Sequence, residues 1–308
     1  MKELTDFQIN QLTSTELKNY EKRMREEVEI RRKGVIEEEE REKAYMLDYE
    51  KYIPISIICP TRHRCHGIHS FLESAYKTAW RFDTFEIIFI CDSDDKASPL
   101  WIDICKDKFP ELDISYYIRE RTEFLNRDYF NYGAEKAKGK YFWNAGDDLV
   151  FIQPQWDKAV FDYLNIFFKG RACDSEPLLK DGIVYINIKC DTPKLPDIQY
   201  PYSCFPIISR KAVEVLGFFL IPEIPSWCSD YILGELYWRC NRLAAIPSQI
   251  FKHIGVETKS ATGDKVTERL HEIMKKYNSP KLAEDWLLKK MPDYRRKIYG
   301  AIQKAEGR

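Results

Sequence analysis

Tyr141-Phe142-Trp143-Asn144-Ala145-Gly146-Asp147-Asp148-Leu149-Val150 reads as an apolar strand that closes on small residues and then two adjacent carboxylates. Desolvating a carboxylate at the end of a buried strand is costly unless a cation or several hydrogen bonds compensate it. Two such groups side by side also repel each other. A divalent metal with oxygen ligands is the simplest partner that answers both costs. The plainer alternative is that the pair caps the turn leading to Ile152–Pro154.

Upstream, the same pattern of a buried strand ending in polar residues recurs. Ile53-Pro54-Ile55-Ser56-Ile57-Ile58-Cys59-Pro60 is a β-rich run, followed by the polar loop Thr61-Arg62-His63-Arg64-Cys65-His66-Gly67. A helical pattern runs from Ser70 to Trp80, and Phe85–Cys91 is a second buried strand ending in Asp92-Ser93-Asp94-Asp95. Leu100–Lys108 fits a helix and Asp113–Arg119 a third strand. Asn131 to Lys138 reads as helix, with Gly139 as its carboxy-terminal stop. This alternation predicts an α/β fold with a mostly parallel central sheet flanked by helices. Ligands of such sheets bind beyond the carboxyl ends of the strands. Thr61–His66, Asp92–Asp95 and Asp147–Asp148 all fall there, and their convergence says more than any one of them.

The second half is less regular. Gly182–Lys189 reads as a strand, Pro193–Pro206 as loop, Ser209–Leu216 as a helix stopped by Gly217, and Trp227–Trp238 as an amphipathic helix. At the amino terminus, Thr13 and Glu16 have the form of a capping box. Leu17, Tyr20, Met24 and Val28 follow at helical spacing, then Gly34 and the run Glu37-Glu38-Glu39-Glu40. The expected organisation is a charged helical arm over 1–50, a central domain over 51–258 and a basic helical tail over 259–308. The central domain divides into halves at 51–150 and 151–258. The arm is a solvated helix packed on the body or a contact for homo-oligomerisation.

At 308 residues the chain can bury a sizeable core, and its net charge of −1 creates no long-range field for nucleic acid or membrane. The nine cysteines are an odd number without a Cys-x-x-Cys pair, and several sit in apolar runs. They read as free thiols in a reducing compartment, so a cytoplasmic location is expected. No signal peptide and no apolar run of membrane-spanning length is visible.

Ile55–Thr61, Glu86–Asp92, Asn131-Tyr132-Gly133 through Gly139-Lys140-Tyr141, and Gly146-Asp147-Asp148 follow one another in an order that resembles glycosyltransferases of the A-type fold. The resemblance is strongest to the large family numbered two. It covers about 53–160 well and about 200–255 loosely. It implies a metal-dependent, inverting transfer from a nucleoside-diphosphate sugar, with a UDP-sugar the expected donor and Mn²⁺ or Mg²⁺ the cofactor. Ala145-Gly146-Asp147-Asp148 departs from the family's Asp-x-Asp, because the first acid is absent. Either Asp147 or Asp148 then holds the metal. The chemistry accounts for the motif: a cation held by carboxylates stabilises charge on the departing diphosphate.

The resemblance implies further roles. Asp92 reads the nucleotide base, while Thr61 and Arg62 contact the nucleotide. Arg127 pairs with phosphate or base, or forms a surface salt bridge. Asp147 contacts both donor and metal, and His253 is a third metal ligand or a packed strand-end histidine. Asp230, in Ser226-Trp227-Cys228-Ser229-Asp230-Tyr231, is the candidate base that takes the acceptor proton. Helix capping is its alternative role. Trp227 is placed to stack on a sugar, and Glu223 is the reserve carboxylate. His63, His66 and His69 invite a zinc reading, but no further cluster completes four ligands.

The acceptor is a glycan, a lipid-linked sugar or DNA carrying hydroxymethylated bases. Two other functions compete. A sugar nucleotidyltransferase needs a glycine-rich loop, which Pro60-Thr61-Arg62-His63-Arg64 lacks. A non-catalytic nucleotide-sugar-binding module is suggested by the eroded motif.

Overall fold

Strand β1 (Ile55–Thr61) and strand β2 (Phe85–Asp92) are apolar along nearly their whole length, as strands covered on both faces must be. They pair in parallel, with Ile57 opposite Ile87 and Thr61 opposite Cys91. The computed structural model describes residues 55–169, 179–189, 203–254 and 265–307, and in the amino-terminal segment only Lys22, Glu26, Glu29, Ile30 and Lys33, all helical. Readings that fall on other positions lie outside the described residues. These include the capping box at Thr13, the apolar stripe from Leu17 to Val28, the glutamate run and most of Pro193–Pro206. Contacts divide the chain into two units, Met1–Lys51 and Tyr52–Arg308.

In the larger unit, β1 and β2 are joined by β3 (Asp113–Arg119) and β4 (Tyr141–Asn144), both in parallel pairings. Strands β6 (Tyr185–Ile188), β7 (Ile207–Ser209) and β8 (Leu243–Ile246) complete a seven-stranded sheet of order β3-β2-β1-β4-β7-β6-β8. Only β7 runs antiparallel to its neighbours. Three residues are too few to show a hydrophobic period, so sequence reading leaves Ile207 and Ile208 unassigned and begins the next helix at Ser209. That helix, Arg210–Leu216, is capped by the Ser209 side chain and closed by Gly217, whose φ of 89° suits glycine. A separate two-stranded ribbon pairs β5 (Leu149–Phe151) with β9 (Phe251–His253) in antiparallel register, Leu149 opposite His253.

Alternate strand residues feed two cores. Ile57 and Ile87 join Phe71, Trp143 and Trp156 on one face, while Ile58 and Ile88 join Phe142, Phe219 and Tyr237 on the other. Met291, Ile298 and Ile302, from the carboxy-terminal helix Met291–Ala305, are buried in the second core. One face of the basic tail is therefore packed rather than solvated.

Helix α1 spans Cys65–Thr78, beginning five residues ahead of its expected start, and α2 spans Ala97–Lys108. The helix expected from Asn131 to Lys138 is α3 (Tyr132–Lys136), and a π-helical turn over Asn126–Asn131 precedes it. Asn131 accepts from the Phe219 and Leu220 amides and donates to the Leu220 carbonyl, satisfying a buried turn. Gly139 does not cap that helix. It is needed because a Cβ there would lie 2.6 Å from Ser56 Oγ and 2.8 Å from the Ser56 amide. Ser56 Oγ in turn donates to buried Glu86 at 2.6 Å, and the Lys138 amide donates to the same carboxylate at 2.5 Å.

Candidate active site

Polar residues at the carboxyl ends of three strands set the site. Thr61, the last residue of β1, donates from Oγ1 to Asp147 Oδ2 at 2.6 Å. Arg64, at the entrance to α1, donates to Asp147 Oδ1 at 2.9 Å and lies 3.7 Å from Asp148 Oδ2. The Gly67 backbone of α1 presses on this turn so closely that a Cβ would stand 2.6 Å from the Asp147 carbonyl oxygen. Asp147 is 4% exposed, and burial pushes its carboxyl up to about 6, with Arg64 opposing and Asp148 adding to the shift.

Asp148 is placed differently. The β5–β9 ribbon carries His253 to it, with Nε2 3.1 Å from Asp148 Oδ2. The Ile254 amide donates to the Asp148 carbonyl at 2.9 Å, and Phe205 packs edge-on against the imidazole. Burial works to raise the Asp148 carboxyl, but the His253 hydrogen bond, the charge of His253 and Arg64 together hold it below the ordinary range.

At the end of β2, Asp92 is 5% exposed. Arg62 donates to its Oδ2 at 2.8 Å, Tyr129 donates to its Oδ1, and Arg121 lies 3.9 Å away. Arg62 also pairs with Asp94. Asp95 is structural: it accepts from the Ala97 and Ser98 amides at the start of α2 and from the His63 amide. Thr61, Asp147, Asp148 and His253 form one network with Arg64, and Arg62 and Asp92 form a second that adjoins it in the chain at Thr61-Arg62.

The other expected residues have partners of their own. Arg127 pairs with adjacent Asp128 at 2.9 Å and stacks over Phe124, the surface salt-bridge alternative to a phosphate contact. Asp230 stands in the first turn of α4 (Ser229–Arg239), after Cys228 at φ 82°. The peptide before it is fixed by Asn126, whose side-chain amide donates to the Ile224 and Ser226 carbonyls. Trp227 is 40% exposed and meets His271 edge-on. Glu223 pairs with Lys290. His63 contacts Asp95, whereas His69 contacts Cys105 and Lys108. A depression lined by Trp80, Arg81, Phe82, Asp83, Glu111 and Asp113 lies near the amino ends of β2 and β3, away from these networks.

Arg64 and Tyr129 are the contacts that sequence reading misses. Arg64 is one of two arginines in Arg62-His63-Arg64, and only the early start of α1 turns it onto Asp147. Tyr129 reaches Asp92 from the π-helical turn, a geometry without a periodic signal.

Among the described residues no three His, Cys, Asp or Glu side chains are gathered as a metal cage. Two are enough for a phosphate-binding cation, which commonly uses one or two carboxylates and completes its shell with water and phosphate oxygens. Neighbouring ligands at right angles around an ion at ~2.1 Å stand ~3 Å apart, which the Asp148–His253 spacing of 3.1 Å fits. Oxygen and imidazole nitrogen also suit Mn²⁺.

The mostly parallel sheet flanked by helices has the glycosyltransferase A-type fold. Residues 1–349 of S. aureus TarS superpose at a TM-score of 0.50 with 14% identity, over 82% of each chain. A longer TarS chain matches at 0.49 and 13%, covering 73% of this chain but only 42% of its own length. The mannosyltransferase PcManGT from Pyrobaculum calidifontis, solved with GDP-Man and Mn²⁺, matches at 0.48 and 14%, over 83% of this chain and 76% of that one. At such identities the likeness is one of fold. No protein-family profile and no curated protein sequence matches the chain.

The raised Asp147 carboxyl has a consequence for the metal-free protein. The folded state favours its protonated form, so this contribution to stability is complete below the unfolded value near 4 and is lost as pH rises through about 6. Wild type is expected to lose ~2 kcal/mol relative to Asp147→Asn between pH 4 and pH 7. Urea unfolding of both proteins across that range measures it, and parallel pH profiles would refute the assignment.

Proposed function

We propose that the chain is a metal-dependent, inverting glycosyltransferase that moves sugar from a nucleoside-diphosphate sugar, a UDP-sugar, to an acceptor hydroxyl. The observation that carries this reading is the Asp148–His253 pair, set beside buried Asp147 at the carboxyl edge of the sheet. Asp148 and His253 would hold Mn²⁺ or Mg²⁺, which supplies a counter-charge for the diphosphate leaving group. Asp92 accepts from the nucleotide base, oriented by Arg62 and Tyr129. Thr61 fixes the Asp147 carboxylate. Asp230, at the start of α4, takes the proton from the attacking hydroxyl.

Trp227, three residues before Asp230 and partly exposed, offers a flat face for a glycan or lipid-linked sugar acceptor. No helix among the described residues is long and apolar enough to cross a membrane. A reducing cytoplasm suits Cys59 and Cys91, both free and buried.

A thermal-shift series with nucleoside diphosphates, each with and without Mn²⁺, tests the reading. UDP at ~100 times its dissociation constant stabilises by ~2.7 kcal/mol, or roughly 5–10 °C for a unit of this size. The shift is expected only with Mn²⁺ present. No shift with any nucleotide would defeat the proposal.

A further inference from the structure

The Asp147–Asp148 pair already faces a cation of its own chain. One Arg64 nitrogen lies 2.9 Å from Asp147 Oδ1 and 3.7 Å from Asp148 Oδ2, and Thr61 takes the other Asp147 oxygen. A divalent ion on Asp148 and His253 would bind the same Asp148 oxygen that this guanidinium faces. Two cations would then stand a few ångströms apart in a largely buried place, where their repulsion is weakly screened. Asp147, at 4% exposure, also cannot be left without a positive partner at low cost.

Arg64 and Arg62 face different carboxylates. Arg62 is pinned between Asp92 and Asp94. The Arg64 side chain is 24% exposed and hangs from the residue just ahead of α1. A diphosphate at the carboxyl edge is an anion that would compete with the two aspartates for this partly exposed guanidinium.

We infer that Arg64 is a resident counter-cation that competes with the divalent ion for the Asp147–Asp148 carboxylates and yields to it when a nucleoside diphosphate arrives. Metal and nucleotide then bind as a coupled pair, and the metal alone binds weakly. The inference rests on the reading of Asp148 and His253 as metal ligands. In the coupled state Arg64 becomes a phosphate contact, so one side chain balances the charge of both states.

The test is Mn²⁺ binding, read from the electron paramagnetic resonance signal of the free ion, with the full chain, with and without UDP. Wild type is expected to bind Mn²⁺ at least about tenfold more tightly with UDP than without it. Arg64→Gln keeps a hydrogen-bond donor for Asp147 but removes the charge, and should bind Mn²⁺ alone about tenfold more tightly than wild type. Arg64→Lys keeps the charge and should bind Mn²⁺ alone as weakly as wild type. Arg64→Gln binding Mn²⁺ no more tightly than wild type, or Arg64→Lys tightening equally, would overturn the inference while leaving the metal site standing. Wild type that binds no Mn²⁺ even with UDP would remove the metal reading itself, and the inference with it.

Discussion

Asp148→Ala is expected to abolish the Mn²⁺-dependent stabilisation by UDP and to lower kcat/KM for donor hydrolysis at least ~10³-fold, the scale of losing a metal's charge stabilisation. Asp148 shares its oxygen with His253 at 3.1 Å, so its removal leaves the imidazole as a single protein ligand. Its side chain is 22% exposed and its carbonyl, not its carboxylate, bonds the Ile254 amide. The backbone ribbon therefore survives the substitution, and circular dichroism should show an intact fold. His253→Ala should be milder, because a carboxylate and water can hold the ion in part. An Asp148→Ala protein that keeps the wild-type UDP shift with Mn²⁺ would dismiss this residue as a ligand.

The second large effect separates binding from chemistry. Asp230→Asn is expected to lower donor hydrolysis by ~10²–10⁴ through loss of general-base catalysis, while the Mn²⁺-dependent UDP shift stays at its wild-type size. Asparagine preserves the shape of the residue, and Asp230 stands inside the first turn rather than at the cap, which is Cys228, so a fall in turnover reports proton transfer rather than collapse of the first turn. With water as acceptor, released UDP gives the rate. Turnover equal to wild type would place the base elsewhere, and Glu223, now paired with Lys290, would be the next carboxylate to replace.

The amino-terminal half of the sheet was legible because its signals are local. β1 and β2 are continuous apolar runs, and each ends in the polar residues that build the site. Asp92, Asp147 and Asp148 stand out for the same reason, as charges at buried strand ends. What escaped depends on contacts distant in sequence. β7 is three residues long and is fixed only by its pairing with β4 and β6. Gly139 looks like a helix stop but serves a close approach to Ser56 from 83 residues earlier. Arg64 and Tyr129 are aimed by a helix start and a π-helical turn, and neither leaves a period in the sequence.

The β5–β9 ribbon also bears on the order of folding. Asp148 and His253 are 105 residues apart in the chain, and their meeting requires a ribbon outside the main sheet to close. Closing so long a loop costs entropy before its contacts return anything, so pairings of this kind form late. The strands β1 to β4, with their short connections, can assemble first and present both aspartates without the histidine. Acquisition of the metal-binding pair during refolding therefore marks completion of the chain's topology, and a nascent chain halted before Phe251 would display the acidic turn but lack its partner.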